Sequence, residues 1–289
     1  MATLVTRAEG GGASRASSRV VMHALSVGVF AFQFCGYVAL STWVEWRWYH
    51  NRRGEEREWK TQSGKLRGSS RRGARGDGDG RGRGYAWGLP ALDLVRANPP
   101  DAGRHPSHAA FATCNLVVSS LFAGATCEAY LAGGDAFGFG STLVASEVAF
   151  AKVLVGTLLA VTWQSVLEYY WHRAMHLPRV YRAMHKFHHH YKSPQPWDDL
   201  FIHPAESFGY CVILYSPAFC VPSLPVASFL LYMSIMGVCG VLDHCGVRMS
   251  WPLGTYDTKF HDVHHEAFNA NYAFPFPTMD RLHGTYRAS

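Results

Sequence analysis

Val161-Thr-Trp-Gln-Ser-Val-Leu-Glu-Tyr-Tyr-Trp-His172-Arg-Ala-Met-His176 decides the architecture, because an apolar run passes without a helix breaker into two histidines four residues apart. Residues at that spacing share a helix face, so both imidazoles leave the end of the apolar segment on one side. Two further groups follow, His185-Lys-Phe-His188-His189 and His261-Asp-Val-His264-His265. Imidazole is the commonest protein metal ligand, and each group offers two or three nitrogens converging on one point. The three groups hold eight histidines, about twice what one tetrahedral ion takes, which favours a site with two metals.

Of the 16 histidines, 11 lie between positions 172 and 265. A lone histidine is usually a satisfied structural residue, and His23, His50, His105, His108 and His283 are read so. Three clusters at ligand spacing resist that reading, since each buried imidazole needs partners for both nitrogens. His190 points about a third of a turn away from His189 and is left outside the ligand set. His203-Pro204-Ala205-Glu206 and Asp243-His244-Cys245-Gly246 add His203 and His244 as ligand candidates. Asp243, Asp262, Glu206 and Asp199 are candidates to accept the second N–H of a ligating ring; helix capping or a solvated face is the competing role for each.

Nitrogen-rich ligation suits iron, zinc and copper alike. Structural zinc normally includes cysteine and closes at four ligands, and neither fits. The seven cysteines form no CxxC and sit mostly in apolar stretches, as small buried residues rather than a disulfide framework. Eight to ten imidazoles beside a membrane suit iron that binds dioxygen while a hydrocarbon chain approaches from the lipid. Ferritin-like proteins use Glu and Glu-x-x-His instead, a spacing that Glu168 to His172 does not match.

Along the chain, residues 1–19 read as a disordered tail or a targeting segment. Val20 to Val44 carries no charge and is long enough to cross about 30 Å of hydrocarbon. Trp43, Trp46, Trp48 and Tyr49 with Arg47, Arg52 and Arg53 follow as an aromatic belt and basic flank, so residues 20–46 are expected to be a transmembrane helix. Residues 47–108 are expected to be a basic, Gly/Arg-rich disordered cytosolic loop. Residues 109–289 would form the catalytic membrane domain, with apolar stretches at 109–132 and from about 142 to 170. A helical hairpin over 208–242 would be broken by Pro217, Pro222 and Pro225. The expected fold is all-α, a multi-span membrane bundle under a cytosolic histidine-rich cap.

Residues 1–84 hold 15 Lys+Arg against 7 Asp+Glu, net +8, and the rest hold 12 against 14, net −2. The whole excess therefore flanks the first span, as a cytosolic membrane arm does, and no aromatic/basic repeat supports a nucleic-acid partner. With that arm in the cytosol, every histidine cluster falls on the cytosolic side.

These boxes, in this order between apolar segments, resemble the fatty acid hydroxylase/sterol desaturase superfamily of membrane non-haem di-iron oxygenases. The resemblance covers about residues 140–287. It rests on Trp171 to His176, His185 to His189, His203 to Glu206, Asp243 to Gly246 and His261 to His265, then Asn271-Tyr272 and Asp280-Arg-Leu-His-Gly-Thr285. It implies two iron ions, with zinc as a lesser fit to the same donors, held by His172, His176, His185, His188, His189, His203, His244, His261, His264 and His265. It also adds Asn271 to the supporting residues. Dioxygen and electrons from NAD(P)H, through a separate reductase or b-type cytochrome, would hydroxylate or desaturate a C–H bond of a sterol or fatty acyl membrane lipid. The endoplasmic reticulum is the expected membrane; were residues 1–19 a plastid signal, a ferredoxin would be the donor. A metal-binding membrane protein without catalysis, such as a zinc-handling carrier or a degenerate member of that family, is the second reading.

Overall fold

The computed structural model describes residues 12–52, 54–63, 90, 105–132, 147–251 and 256–288. Among these the chain is all-helical, with only two isolated bridges, Lys60 with Val247 and Ser250 with Asp257. The long helices are α1 (Gly12–Val44), α2 (His108–Ala132), α3 (Glu147–Met175), α4 (Pro204–Tyr215), α5 (Val226–Asp243), α6 (Thr258–Ala267) and α7 (Thr278–His283).

Four segments are long and apolar enough to cross a membrane: Ser26–His50, His108–Ala129, Phe150–Met175 and Val226–Asp243. They are apolar on their outer faces too. Val27, Phe32, Leu121, Phe150, Leu154 and Leu158 are all exposed, a surface that belongs against lipid rather than water. With no hydrophobic drive between helices in lipid, close approach and buried hydrogen bonds hold them together. A Cβ on Gly156 of α3 would stand 2.6 Å from Ser228 Oγ of α5, and that hydroxyl donates to the Val153 carbonyl at 2.9 Å. Tyr215 and Tyr232 donate to Ser119 and Leu214 carbonyls at 3.1 and 2.7 Å.

Three expectations change. Residues 12–19, read as a tail, continue α1 as helix; residues 1–11 lie outside the described part. The helix also runs on past Val44 as a π turn over Glu45–His50. Second, not all of 47–108 is loose. Trp59 is buried against Trp48 and Tyr49, and Lys60 and Gln62 reach the rest of the molecule. Residues 64–89 and 91–104 lie outside the described part. Third, the hairpin's first arm, α4, has 12 residues, too short to span about 30 Å. It turns through a single helical turn begun by Pro217 and returns as α5, whose N-cap is Pro225.

The chain places the end of α1, the start of α2 and the ends of α3 and α5 at one end of the bundle. The 195–202 segment ties these ends together. Trp197 Nε1 donates to Glu45 at 3.2 Å, His108 bonds Asp198 at 3.1 Å, and Asn115 donates to the Leu200 and Ile202 carbonyls at 2.9 Å.

Candidate metal centre

Two histidine groups form at this end. His172, His176, His185, His189 and His264 make one, and His188, His244, His261 and His265 the other. In each, one nitrogen per ring lies within 4.8 Å of the others. The grouping cuts across the sequence clusters. Neighbouring residues in a helical turn point about 100° apart, so His188 and His189 go to different groups, as do His264 and His265. Each HxxHH box therefore serves both groups rather than one point; the two groups adjoin, with the His188 and His189 rings 5.5 Å apart and those of His264 and His265 5.8 Å apart.

Backbone anchors decide which nitrogen faces inward. The Nδ1 of His172 meets the Tyr272 carbonyl at 2.8 Å, that of His264 the Ala270 carbonyl at 2.7 Å, that of His265 the Tyr191 carbonyl at 3.1 Å, and that of His244 the Gly240 carbonyl at 3.1 Å. A carbonyl only accepts, so each of these Nδ1 atoms carries the proton and each Nε2 is a bare lone pair. His185 Nδ1 meets the buried Glu206 carboxyl at 2.5 Å, which in its ionised form likewise only accepts and gives the same tautomer.

The Nε2 atoms gather close to one another. In the first group the Nε2 atoms of His176, His185 and His189 are 3.0, 3.1 and 3.3 Å apart, and His264 is 3.1 Å from His189. In the second, His244 lies 3.2 Å from His188 and 2.9 Å from His261. The Nε2 atoms of His172 and His265 are buried with no hydrogen-bond partner. His189 Nε2 has three such neighbours within 3.3 Å and at most one proton to share among them, a conflict that a shared cation removes. Nitrogens about 2.1 Å from one ion stand ~3.0 Å apart at right angles and ~3.4 Å apart at the tetrahedral angle, which matches these separations. The donor set fits two metal ions.

Burial also keeps the rings neutral, the form that binds metal. It lowers His176 to about 3 and His244 to about 4. His185, His188, His261, His264 and His265 fall well below the ordinary value, by burial first and then by the neighbouring imidazoles. The Glu206 carboxyl is pushed up to about 8 by burial. A cation on the His185 ring would draw it back toward the ionised form.

Nine of the ten candidate ligands converge; His203 does not. It stands at the N-cap of α4, where its Nδ1 accepts from the Ala205 N–H at 3.2 Å, with its ring against Phe187. A histidine before proline at a helix start is placed for capping, and that role takes it away from the clusters. Of the supporting carboxylates only Glu206 touches a histidine ring of either group. Asp199 accepts from Tyr37 of α1, Asp243 from Tyr256 at 2.5 Å, and Asp262 from Gln62 at 2.8 Å. Asn271, at φ +58°, uses its amide on the Phe260 carbonyl and on Arg287 rather than on a ring. His190 is exposed and packs on His105.

The groups that do orient the rings are mostly main-chain carbonyls, invisible to a reading of side chains. The Tyr272 carbonyl is fixed in turn by Asp280, which accepts from the Tyr272 and Ala273 N–H groups at 2.9 and 2.7 Å and from Thr285 at 2.6 Å. The Asn271-Tyr272 to Thr285 pattern was the sequence signal for this knot; nothing in sequence pointed to Tyr37, Gln62 or Tyr256.

A cavity of about 200 Å³ adjoins both groups. His172 from the first and His188, His244 and His261 from the second line it. Ile202, Leu214, Met236 and Phe274 give it apolar walls.

Residues 157–285 match the fatty acid hydroxylase family model, a stretch that contains all nine converging histidines. That match and the relatives support placing this stretch, rather less than half of the chain, with the fatty acid hydroxylase/sterol desaturase superfamily. Among its relatives, the Delta(7)-sterol 5(6)-desaturase of Saccharomyces cerevisiae is 34% identical over 116 residues, 40% of this chain and 32% of that protein. Sphinganine C4-monooxygenase 1 of Arabidopsis thaliana is 29% identical over 150 residues, 49% of this chain and 56% of that protein. Methylsterol monooxygenase 2-2 of the same plant is 32% identical over 128 residues, 40% of this chain and 47% of that protein. The chain thus spans about a third to just over half of these relatives. No solved structure matches it. Four apolar spans and two histidine groups, within a chain part of which is similar to sterol desaturases and lipid monooxygenases, are what fold, site and relatives together give.

Proposed function

We propose that this chain is a membrane di-iron lipid oxygenase that hydroxylates or desaturates an unactivated C–H bond of a sterol or fatty acyl lipid. The observation that carries this reading is the meeting of five and four neutral imidazoles beside a cavity walled by apolar side chains. A zinc-handling carrier would place polar ligands within its spans to pass an ion along. Here all but His172 lie beyond the spans, and the space beside them suits hydrocarbon. The relatives' names, which cover sterols, methylsterols and sphinganine, support a lipid substrate.

Iron bound by these nine histidines would supply the activation of dioxygen. The chain's own residues do the rest. Carbonyls of Tyr272, Ala270, Tyr191 and Gly240 hold five-membered rings in the metal-binding tautomer, Glu206 does so for His185, and the apolar walls keep water from the reacting carbon. Electrons from NAD(P)H would arrive through a b-type cytochrome or reductase, or a ferredoxin in a plastid. The endoplasmic reticulum, with the histidine end in the cytosol, is the setting that the basic flank after α1 supports.

His188→Ala and His264→Ala should each abolish product formation in a microsomal lipid assay, while His203→Ala should keep most of it. Turnover retained in both cluster variants overturns the reading. Purified protein that holds metal yet consumes no dioxygen with any lipid would instead support a non-catalytic metal protein.

A further inference from the structure

Besides histidines and hydrocarbon, the 200 Å³ cavity is lined by Glu168, Asp199 and Tyr210. Carboxyls are out of place in a space meant only for an alkyl chain. Glu168 lies inside the span Phe150–Met175, where a carboxyl is costly and usually functional. It precedes His172 by four residues, so the two share a face of α3, about 6 Å apart along the axis. Asp199 comes from the opposite side, on the segment leading to α4. Gln164 donates to Glu168, and Asp199 accepts from the Tyr37 hydroxyl and from main-chain N–H groups at Asp199 and Leu200. A carboxyl group keeps acceptor positions beyond these whether or not it is ionised. Both residues are only half-buried.

The volume limits what the carboxyls can read. An apolar void of ~150 Å³ takes one benzene ring, so about 200 Å³ admits a single ring or a few carbons. A polar group reaching Glu168 or Asp199 therefore lies within a few bonds of the carbon presented to the metals. We propose, resting on the oxygenase reading above, that Glu168 and Asp199 are specificity-determining residues that accept hydrogen bonds from a hydroxyl of the lipid close to the oxidised carbon. The site then selects hydroxylated lipids and rejects a plain alkyl segment. Sites built to bond a substrate hydroxyl reject analogues without it far more strongly than apolar pockets reject an extra methylene, by ~10⁴ in strong cases.

The test uses the full chain in lipid nanodiscs, loaded with iron and supplied with reductant and dioxygen. Three probe pairs differ only at the hydroxyl: cholestanol and its 3-O-methyl ether, sphinganine and its 3-O-methyl ether, and 2-hydroxystearate and stearate. In whichever pair is oxidised, kcat/KM should favour the free hydroxyl at least tenfold. Glu168→Leu and Asp199→Leu should each reduce that preference, and the double variant should bring it within about twofold. Iron content should stay at the wild-type level in all three, because neither residue belongs to the histidine groups. Equal oxidation of both members by the wild type overturns the inference and leaves the oxygenase reading intact. So does a preference that survives the double variant. Loss of iron in Glu168→Gln or Asp199→Asn would assign the carboxyls to the metal centre and overturn it as well. Failure to oxidise any pair would remove the oxygenase reading and this inference with it.

Discussion

His185 and Glu206 form a fully buried pair at 2.5 Å, both side chains 0% exposed. Truncating the carboxyl leaves the ring proton without an acceptor and frees the tautomer. Loss of such a partner typically weakens metal affinity about 10–100-fold. Glu206→Ala should show that drop in a chelator competition, while Glu206→Gln, which keeps an acceptor oxygen, should lose less. His203→Ala should leave affinity unchanged and cost ~1 kcal/mol or less of helix cap, read from the melting temperature. The contrast between these neighbours shows what was legible. Spacing announced eight of the nine converging rings, because three- and four-residue intervals map onto a helix face, while His244 came only from its Asp243-His244-Cys245-Gly246 context. It could not separate His203 from them, since a histidine before proline looks the same whether it caps or ligates. Nor could it assign Asp243, Asp262 and Asp199, whose acceptors face Tyr256, Gln62 and Tyr37 from distant parts of the chain.

At the scale of elements, the stretch from Asn271 to Arg287 is a frame for one carbonyl. Asp280 holds the N–H groups of Tyr272 and Ala273, and Tyr272 holds His172. Asp280→Ala leaves both N–H groups without that acceptor, at ~1–3 kcal/mol each, and releases the carbonyl that orients His172. A melting temperature lowered by several degrees together with reduced iron content is expected; a variant that melts as the wild type and keeps its iron would show that the frame is unnecessary. The α3–α4 crossing is equally tight. A Cβ at Gly209 would meet Trp171 Cζ2 at 2.2 Å, so Gly209→Ala should destabilise by about 1–3 kcal/mol. The spans themselves were readable from apolar length, and the hairpin from its prolines. The short first arm was not, because apolar composition measures neither where a helix starts nor how far it goes.

For the whole molecule, the buried neutral imidazoles make stability depend on pH. Their folded pKa values lie below the unfolded value near 6.5, about 3 for His176 and about 4 for His244. Between those limits the unfolded chain binds protons that the folded chain refuses, so stability falls as pH drops below about 6.5 and is regained above it. The metal-free protein in detergent should therefore melt at lower temperature at pH 5 than at pH 7, and added metal should steepen the difference, because protons compete for the same lone pairs. A melting temperature that is flat over this range would mean that the rings are already protonated in the folded state.

The region between α1 and α2 has a consequence for how the protein can be cut. Lys60, fully buried, reaches the Tyr49 hydroxyl at 3.2 Å and the Pro194 carbonyl at 3.3 Å, in a space where Gly246, at φ +67°, leaves no room for a Cβ. Gln62 grips Asp262 between two of the ring ligands, and the Lys192 carbonyl beside the second histidine box. These contacts come from outside the stretch that matches the family. Expression of residues 157–285 alone would thus remove a clasp from the rear of the histidine shell. Supplying residues 12–63 as a separate polypeptide should restore iron retention to that fragment, as a missing piece does when it is held by fit rather than by the peptide bond.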